Sequence, residues 1–264
     1  MKKVLIGIPV RDRAWILPEY LDKIRSLDLT DVEVYYVFIV DHSTDNTLTI
    51  LESKTKNWEN CSIIVWAGDE IPADSPKHDH KHRQECGIYS RLKELREIIR
   101  LKAVELGVDY LFSVDSDVLV EPDCLQRLLA HELDFVYPTS VDSQSEGVVT
   151  AWRLKGDPNN PWSKVGLRWV RIKDAVGVIP VFYCGCAFLV SSKVLLECTY
   201  LFEPNNFERA LDMPVNGEDL WFACSAERKS IPRFLDTDCR VRHVKSELLY
   251  QPKGKKNGKR LGSG

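Results

Sequence analysis

The sequence predicts an α/β fold with a mostly parallel, doubly wound sheet, and three observations carry that expectation. Short apolar runs rich in β-branched and aromatic residues recur along the first 138 residues, among them "KVLIGIPV" at 3–10, "VEVYYVFIV" at 32–40 and "VDYLFSVDSD" at 108–117. Segments with apolar residues at helical spacing separate them. Charged residues collect where the runs end: Arg11 and Asp12, Asp41, then Asp115 and Asp117. In open α/β sheets ligands bind beyond the carboxyl ends of the strands, so these charges mark one functional rim.

Each element follows in order. Residues 3–10 read as a buried first strand closed near Pro9. Ile16, Tyr20, Ile24 and Leu27 share a helical face, with Pro18 in the first turn, and the strand at 32–40 completes a β-α-β unit. Asp45 is placed to cap a helix carrying Leu48 and Leu51, and "CSIIVWAG" at 61–68 gives a third strand. From 90 to 107, Leu92, Leu95, Ile99, Ala103 and Leu106 line one face, and Gly107 is the stop. After the strand at 108–117, "EPD" opens another helix with Pro122 in its first turn.

The second half is less regular. Gly, Pro, Asn and the tryptophans at 152, 162 and 169 predict long loops and an edge hairpin between 140 and 180. "VFYCGCAFLV" then reads as a strand, "SSKVLLECT" as a short helix, "GEDLWFACSAERKS" as a helix and "FLDTDCRVRHV" as a final strand. Packing within an irregular segment explains at least two of the three tryptophans better than stacking on sugar rings.

The chain has 264 residues, 44% hydrophobic and 28% charged, enough to bury a large core. A formal net charge of -3 gives the body no general attraction for nucleic acid, and no nucleic-acid partner is expected. Apolar stretches end well short of the ~18 residues a membrane span needs. Eight cysteines without a secretory signal or a CxxC pair read as buried thiols of a cytoplasmic protein. The tail "PKGKKNGKRLGSG" is basic and Gly-rich; Lys253, Lys255, Lys256, Lys259 and Arg260 either solvate it or touch an anionic membrane peripherally. We expect it to be flexible and to solvate.

Chemistry concentrates in "DSD" at 115–117. Two carboxylates separated by one residue on a strand project to the same side, and on the turn beyond it both can reach one hard cation. Mg²⁺ or Mn²⁺ prefers oxygen ligands and commonly bridges a carboxylate and a diphosphate. A solvated acid pair at a strand end is the plain alternative, and the context weighs against it: Arg11, Asp12 and Asp41 share the rim, while Glu218, Asp219 and His243 follow downstream in "NGEDLWF" and "RVRHV". "HDHKHR" at 78–83 alternates His78, His80 and His82, but without strand hydrophobicity or a fourth ligand it reads as a polar loop.

Taken together, "IGIPVRDR", "VDHSTDNT", "DSD", "YCGCAFLV", "GED" and the late His243 resemble, in that order, the motifs of GT-A glycosyltransferases, close to the family 2 type, over residues 3–245. The resemblance implies a GT-A type, Rossmann-like sheet flanked by helices in one catalytic domain over 1–250. Residues 1–138 would be its nucleotide-binding half, 139–250 an irregular acceptor-binding half, and 251–264 the tail. Pro9, Arg11, Asp12, Asp41, Arg91, Asp115 and Ser116 would hold the donor, with Asp41 on the base; Asp117, His243 and Asp115 would hold Mn²⁺ or Mg²⁺. "VDHSTDNT" is one residue shorter than the family pattern, with His42 at the altered position, which leaves the nucleobase open. Arg83 is a further candidate for the phosphates.

The implied reaction moves a sugar from a nucleotide-diphosphate donor to an acceptor hydroxyl. Asp219, beside Glu218, would be the general base of an inverting displacement, although a retaining relative uses similar scaffolding. At a helix N-terminus Asp219 is expected to ionise readily and to be only weakly basic. Two other classes compete. A nucleotidyltransferase would carry a Gly-rich loop after the first strand, which "PVRDRAW" lacks. A metal-dependent nucleotide-sugar or carbohydrate binding module would bind without turnover and be indifferent to Asp219.

Overall fold

A computed structural model describes residues 1–69, 87–142, 148–155, 166–171, 176–201, 217–244, 247 and 250. "HDHKHR" with Arg83, Trp162 and the basic tail lie outside the described residues, as does the side chain of Trp169. The described elements are β1 (Lys2–Val10), α1 (Leu17–Arg25), β2 (Val32–Val40), α2 (Thr47–Thr55), β3 (Cys61–Val65), α3 (Ile88–Glu105), β4 (Tyr110–Val114) and β5 (Val118–Leu119). They continue as α4 (Cys124–Ala130), β6 (Phe135–Asp142), β7 (Val148–Lys155), β8 (Gly166–Arg171), β9 (Val178–Pro180), β10 (Tyr183–Cys184), β11 (Ala187–Ser191), α5 (Ser192–Glu197), α6 (Glu218–Arg228) and β12 (Phe234–His243).

β3, β2, β1 and β4 lie side by side and parallel. Beyond β4 the sheet continues through β11, antiparallel to both β4 and β6, and then through β7. β12 runs parallel to β6 and antiparallel to β5 and β9. From β1 the chain winds to one side for β2 and β3, then crosses to the other side for β4. The loops after β1 and β4 therefore face each other across the reversal point, where α/β sheets bind ligands.

β1 is buried on both faces, which is why its sequence is a continuous apolar run. Val4, Ile6 and Ile8 pack with Leu17, Tyr20 and Ile24 of α1, while Leu5 packs with Leu95, Ile99 and Ala103 of α3. Gly7 sets the approach of α3: a Cβ there would stand 2.3 Å from Ile99 Cγ2.

Several boundaries differ from the expectation. The run 181–190 is not one strand; it breaks at Gly185–Cys186, where Cys186 adopts a left-handed φ of 72°. β6 escaped the sequence reading because Pro138 interrupts it, and a Pro inside a run argues against a central strand. The fold accommodates Pro138 with a register shift in β12 between Asp236 and Arg240, opposite Pro138 and Thr139. Pro122 precedes α4 instead of lying in its first turn. The N-cap of α2 is Asn46, without a side-chain cap bond; Asp45, one residue earlier, accepts the Thr47 N–H at 2.9 Å and the Ala14 N–H at 3.0 Å.

The seven described cysteines are free thiols, six buried and Cys61 half-buried. No described helix is long and apolar enough to cross a membrane.

Candidate active site at the reversal point of the sheet

The tip of β2 supplies Asp41, 5% exposed and flanked by cations. Arg91 Nη1, from α3, donates to Asp41 Oδ1 at 3.2 Å, and Arg11 Nη1, from the β1 tip, lies 3.7 Å from Oδ2. His42 Nδ1 is 2.9 Å from Oδ1, on a residue with φ of 46°. Arg91 also donates to the Asp69 carbonyl and lies over the Trp66 ring, 5.3 Å from its centroid. A guanidinium–carboxylate–guanidinium row results.

Asp12 joins two loops of the rim. Its Oδ1 accepts the Thr44 N–H at 2.7 Å and its own N–H donates to Ser43 Oγ at 3.1 Å, so it ties the β1 and β2 loops together. Pro9 lies within β1 opposite Ile39, not on the loop.

The two aspartates of "DSD" part company. Asp115 turns to Arg96, whose Nη2 donates to Asp115 Oδ1, and its backbone N–H donates to the Cys186 carbonyl at 2.8 Å. Ser116 between them is buried. Asp117 faces the β1 loop and β12: Oδ2 accepts from Arg13 Nη2 at 3.2 Å, and Oδ1 lies 3.4 Å from His243 Nε2. The short strand β5 explains the second contact, because His243 pairs with Val118 and the Val244 N–H donates to the Asp117 carbonyl at 2.9 Å. Burial alone would raise the Asp117 carboxyl, but His243 and Arg13 outweigh it and hold its pKa below the ordinary range. Burial likewise opposes a charged His243, yet Asp117, and then Cys186, lift its pKa well above the usual histidine value.

Glu218 and Asp219 open α6. Glu218 Oε1 accepts from Arg96 Nε at 2.9 Å. Asp219 Oδ2 accepts the Cys186 N–H at 3.1 Å, while its Oδ1 is buried and accepts no hydrogen bond among the described residues, with Arg96 Nε 3.8 Å away. Burial pushes the Asp219 pKa up to about 7, against the pull of Arg96 and with help from Glu218 and Asp115. The expectation of a readily ionised, weakly basic carboxyl is corrected here, because desolvation outweighs the helix N-terminus.

Arg96 was missing from the sequence reading. It is 4% exposed, donates to Ser113 Oγ at 2.8 Å, and gathers Asp115, Glu218 and Asp219 around one guanidinium. The signal was present, since Arg96 lies four residues after Leu92 and three before Ile99 on the apolar arc.

Among the described residues no three His, Cys, Asp or Glu side chains converge as a ready-made metal cage. Asp117 and His243 do offer one oxygen and one nitrogen at the mouth of the reversal point. These two side chains could hold a divalent cation, the carboxylate being the ligand type that suits Mn²⁺ or Mg²⁺.

The fold and its rim of charge define a GT-A type glycosyltransferase scaffold, and solved structures agree on the fold. Staphylococcus aureus TarS 1-349 in complex with UDP-GlcNAc aligns with a TM-score of 0.55 at 17% identity, covering 93% of this chain and 59% of that one. GalNAc-T7 with UDP, GalNAc and Mn²⁺ aligns with a TM-score of 0.59 at 14% identity, covering 96% and 45%.

The chain belongs to glycosyltransferase family 25, whose N-terminal domain model matches residues 1–245. Procollagen galactosyltransferase 1-A of Xenopus laevis is 30% identical over 142 residues, 51% of this chain and 22% of that protein. The Bos taurus protein described as a probable inactive glycosyltransferase 25 family member 3 is 28% identical over 153 residues, 54% and 24%. These alignments span less than a quarter of each relative. The family thus includes members described as active and as inactive.

Proposed function

We propose that this chain is a metal-dependent glycosyltransferase that moves a sugar from a UDP-sugar to an acceptor hydroxyl with inversion, using Asp219 as general base. The single observation that carries the reading is the state of Asp219: a buried carboxyl with a pKa of about 7, one oxygen fixed by the Cys186 N–H and the other without a hydrogen bond among the described residues. General bases work best when their pKa lies near the operating pH, and strongly perturbed carboxyls cluster at functional sites.

In this mechanism the Asp219 carboxylate takes the proton of the acceptor hydroxyl. The acceptor oxygen bonds to the anomeric carbon from the face opposite the leaving diphosphate, and the bond from that carbon to the diphosphate oxygen breaks. Arg96 holds the base and Asp115 in register. Asp117 and His243 would hold Mn²⁺ or Mg²⁺, which when bound neutralises the charge developing on the departing diphosphate. The neighbour crystallised with Mn²⁺ and UDP supports that choice by likeness of fold alone.

The row Arg11, Asp41, Arg91 supports uracil, or thymine with the same hydrogen-bonding edge, over cytosine as the base. Uracil presents acceptor, donor, acceptor along O2, N3–H and O4, which two guanidinium groups flanking a carboxylate complement. Cytosine lacks the N3–H and turns an amino group toward a guanidinium, an unpaired and repulsive arrangement.

A binding module has one observation in its favour, the relative described as probably inactive. The two readings separate on Asp219, which a binding module does not need.

The test is thermal stability with UDP, GDP, CDP, ADP and dTDP, each with and without Mn²⁺, on wild type and Asp117→Ala. A ligand at about 100 times its dissociation constant adds ~2.7 kcal/mol. Stabilisation by UDP that needs Mn²⁺ and Asp117 supports the reading; no response to any diphosphate overturns it.

A further inference from the structure

Arg13 spans the reversal point of the sheet, reaching from the loop after β1 to the carboxylate after β4. Its Nη1 donates to the carbonyls of Arg11 at 3.0 Å and Asp12 at 3.4 Å, which anchors the guanidinium on its own loop. Its backbone N–H donates to Thr47 Oγ1 at 2.8 Å, so the loop itself is held to α2. Only Nη2 reaches across, to Asp117 Oδ2 at 3.2 Å. Nε is buried and donates to nothing among the described residues. A buried guanidinium N–H without a partner is costly, and oxygen from a ligand would satisfy it.

The two oxygens of Asp117 are thus both engaged, Oδ2 by the Arg13 guanidinium and Oδ1 by the His243 imidazole. A divalent cation that uses Asp117 has to compete with Arg13 for Oδ2. A diphosphate changes that competition. It offers the planar fork of Arg13 several anionic oxygens in the geometry guanidinium groups bind best, and it offers the metal further ligands at the same moment. Nε and Nη2 lie on one edge of the guanidinium and can donate together to such a ligand.

We propose that Arg13 is an internal cation that occupies the Asp117 carboxylate in the nucleotide-free protein and passes to the donor's diphosphate on binding, so that the divalent metal binds tightly only together with the nucleotide. This rests on the metal-dependent transferase reading and adds an order to it. Arg13 is a positioning residue here: it acts on metal affinity through Asp117 and on the donor through its phosphates.

The experiment is Mn²⁺ binding to the full chain, followed by the electron paramagnetic resonance signal of free Mn²⁺, with and without UDP, for wild type, Arg13→Gln and Arg13→Lys. Wild type should bind Mn²⁺ weakly alone and on the order of tenfold more tightly with saturating UDP, within the usual range of couplings between two ligands. Arg13→Gln should bind Mn²⁺ several-fold more tightly than wild type without UDP, and the gain from UDP should shrink. Arg13→Lys, which keeps the charge and loses the fork, should fall between them. The predicted change is a gain of affinity, which a misfolded variant cannot mimic; if Arg13→Gln does not fold, Arg13→Lys carries the test with the same direction.

If UDP strengthens Mn²⁺ binding equally in all three proteins and nucleotide-free affinity is unchanged, the role of Arg13 is wrong and the transferase reading stands. If Mn²⁺ binds to none of them, with or without UDP, the metal reading falls and the inference falls with it.

Discussion

Asp219 Oδ2 accepts the backbone N–H of Cys186 at 3.1 Å, joining the first turn of α6 to the break between β10 and β11. Gly185 stands beside it, where a Cβ would lie 3.6 Å from Asp219 Oδ2. The left-handed turn at Cys186 interrupts an otherwise continuous apolar strand and thereby aims an N–H at the carboxyl. Local strain of this kind collects at functional sites.

The first consequence is kinetic. Asp219→Asn should lower kcat by about 10²-fold or more while leaving UDP binding intact, because general-base removal commonly costs 10²–10⁴-fold. In the wild type, log kcat/KM should rise with pH and level off above about 7, the value at which Asp219 loses its proton. Steady-state kinetics between pH 5 and pH 9 reads both, and an acid limb near pH 4 would contradict the buried base.

The same carboxyl should make stability depend on pH. Its pKa is about 7 in the folded chain and 3.8 in the reference state, so folding favours the protonated form. That contribution is complete below the lower value and disappears as pH rises through about 7. Asparagine does not titrate, so Asp219→Asn should gain on wild type between pH 5 and pH 8 by roughly 1 kcal/mol or more, since each pKa unit is worth about 1.4 kcal/mol. Urea unfolding of both proteins at the two pH values measures it, and a constant difference would show that Asp219 titrates normally.

Base selection should follow the edge of the ring. UDP should bind at least about tenfold more tightly than CDP, and Asp41→Ala should weaken UDP by a similar or larger factor, since hydrogen bonds to charged groups contribute ~1.5–3 kcal/mol. Calorimetric titration with the two diphosphates decides it. Equal affinity for UDP and CDP would remove Asp41 from the base site.

Arg96 should matter for folding as well as for the site. Arg96→Met leaves the buried Glu218, and the half-buried Asp115 beside it, without their shared countercharge, and breaking a buried pair from one side costs about 3–5 kcal/mol. Arg96→Lys, which keeps the charge, should retain part of that stability. Chemical denaturation separates the two variants, and near-wild-type stability for Arg96→Met would mean that the carboxylates are neutral or solvated.

How much of this the sequence disclosed depends on whether the signal was local. β1, β2 and β4 were legible because strands buried on both faces must be apolar throughout, and the acids at their tips stood out against that background. The break at Cys186 was not legible, because nothing in "YCGCAF" distinguishes a straight strand from a left-handed turn. β6 was hidden by Pro138, whose missing N–H is accommodated by a register shift in a strand about a hundred residues away in sequence. The divergence of Asp115 and Asp117 depends on Arg96 and Arg13, which come from two other elements, so alternation along one strand could only predict that both would turn the same way.

The most direct test of the central claim is Mn²⁺-dependent release of UDP from UDP-hexoses in the presence of hydroxyl acceptors, compared between wild type and Asp219→Asn. Release should require Mn²⁺ and give a product of inverted anomeric configuration, and Asp219→Asn should lose at least about 10²-fold with UDP binding preserved. Tight UDP binding by the wild type with no turnover on any donor, or equal turnover by the variant, would contradict it.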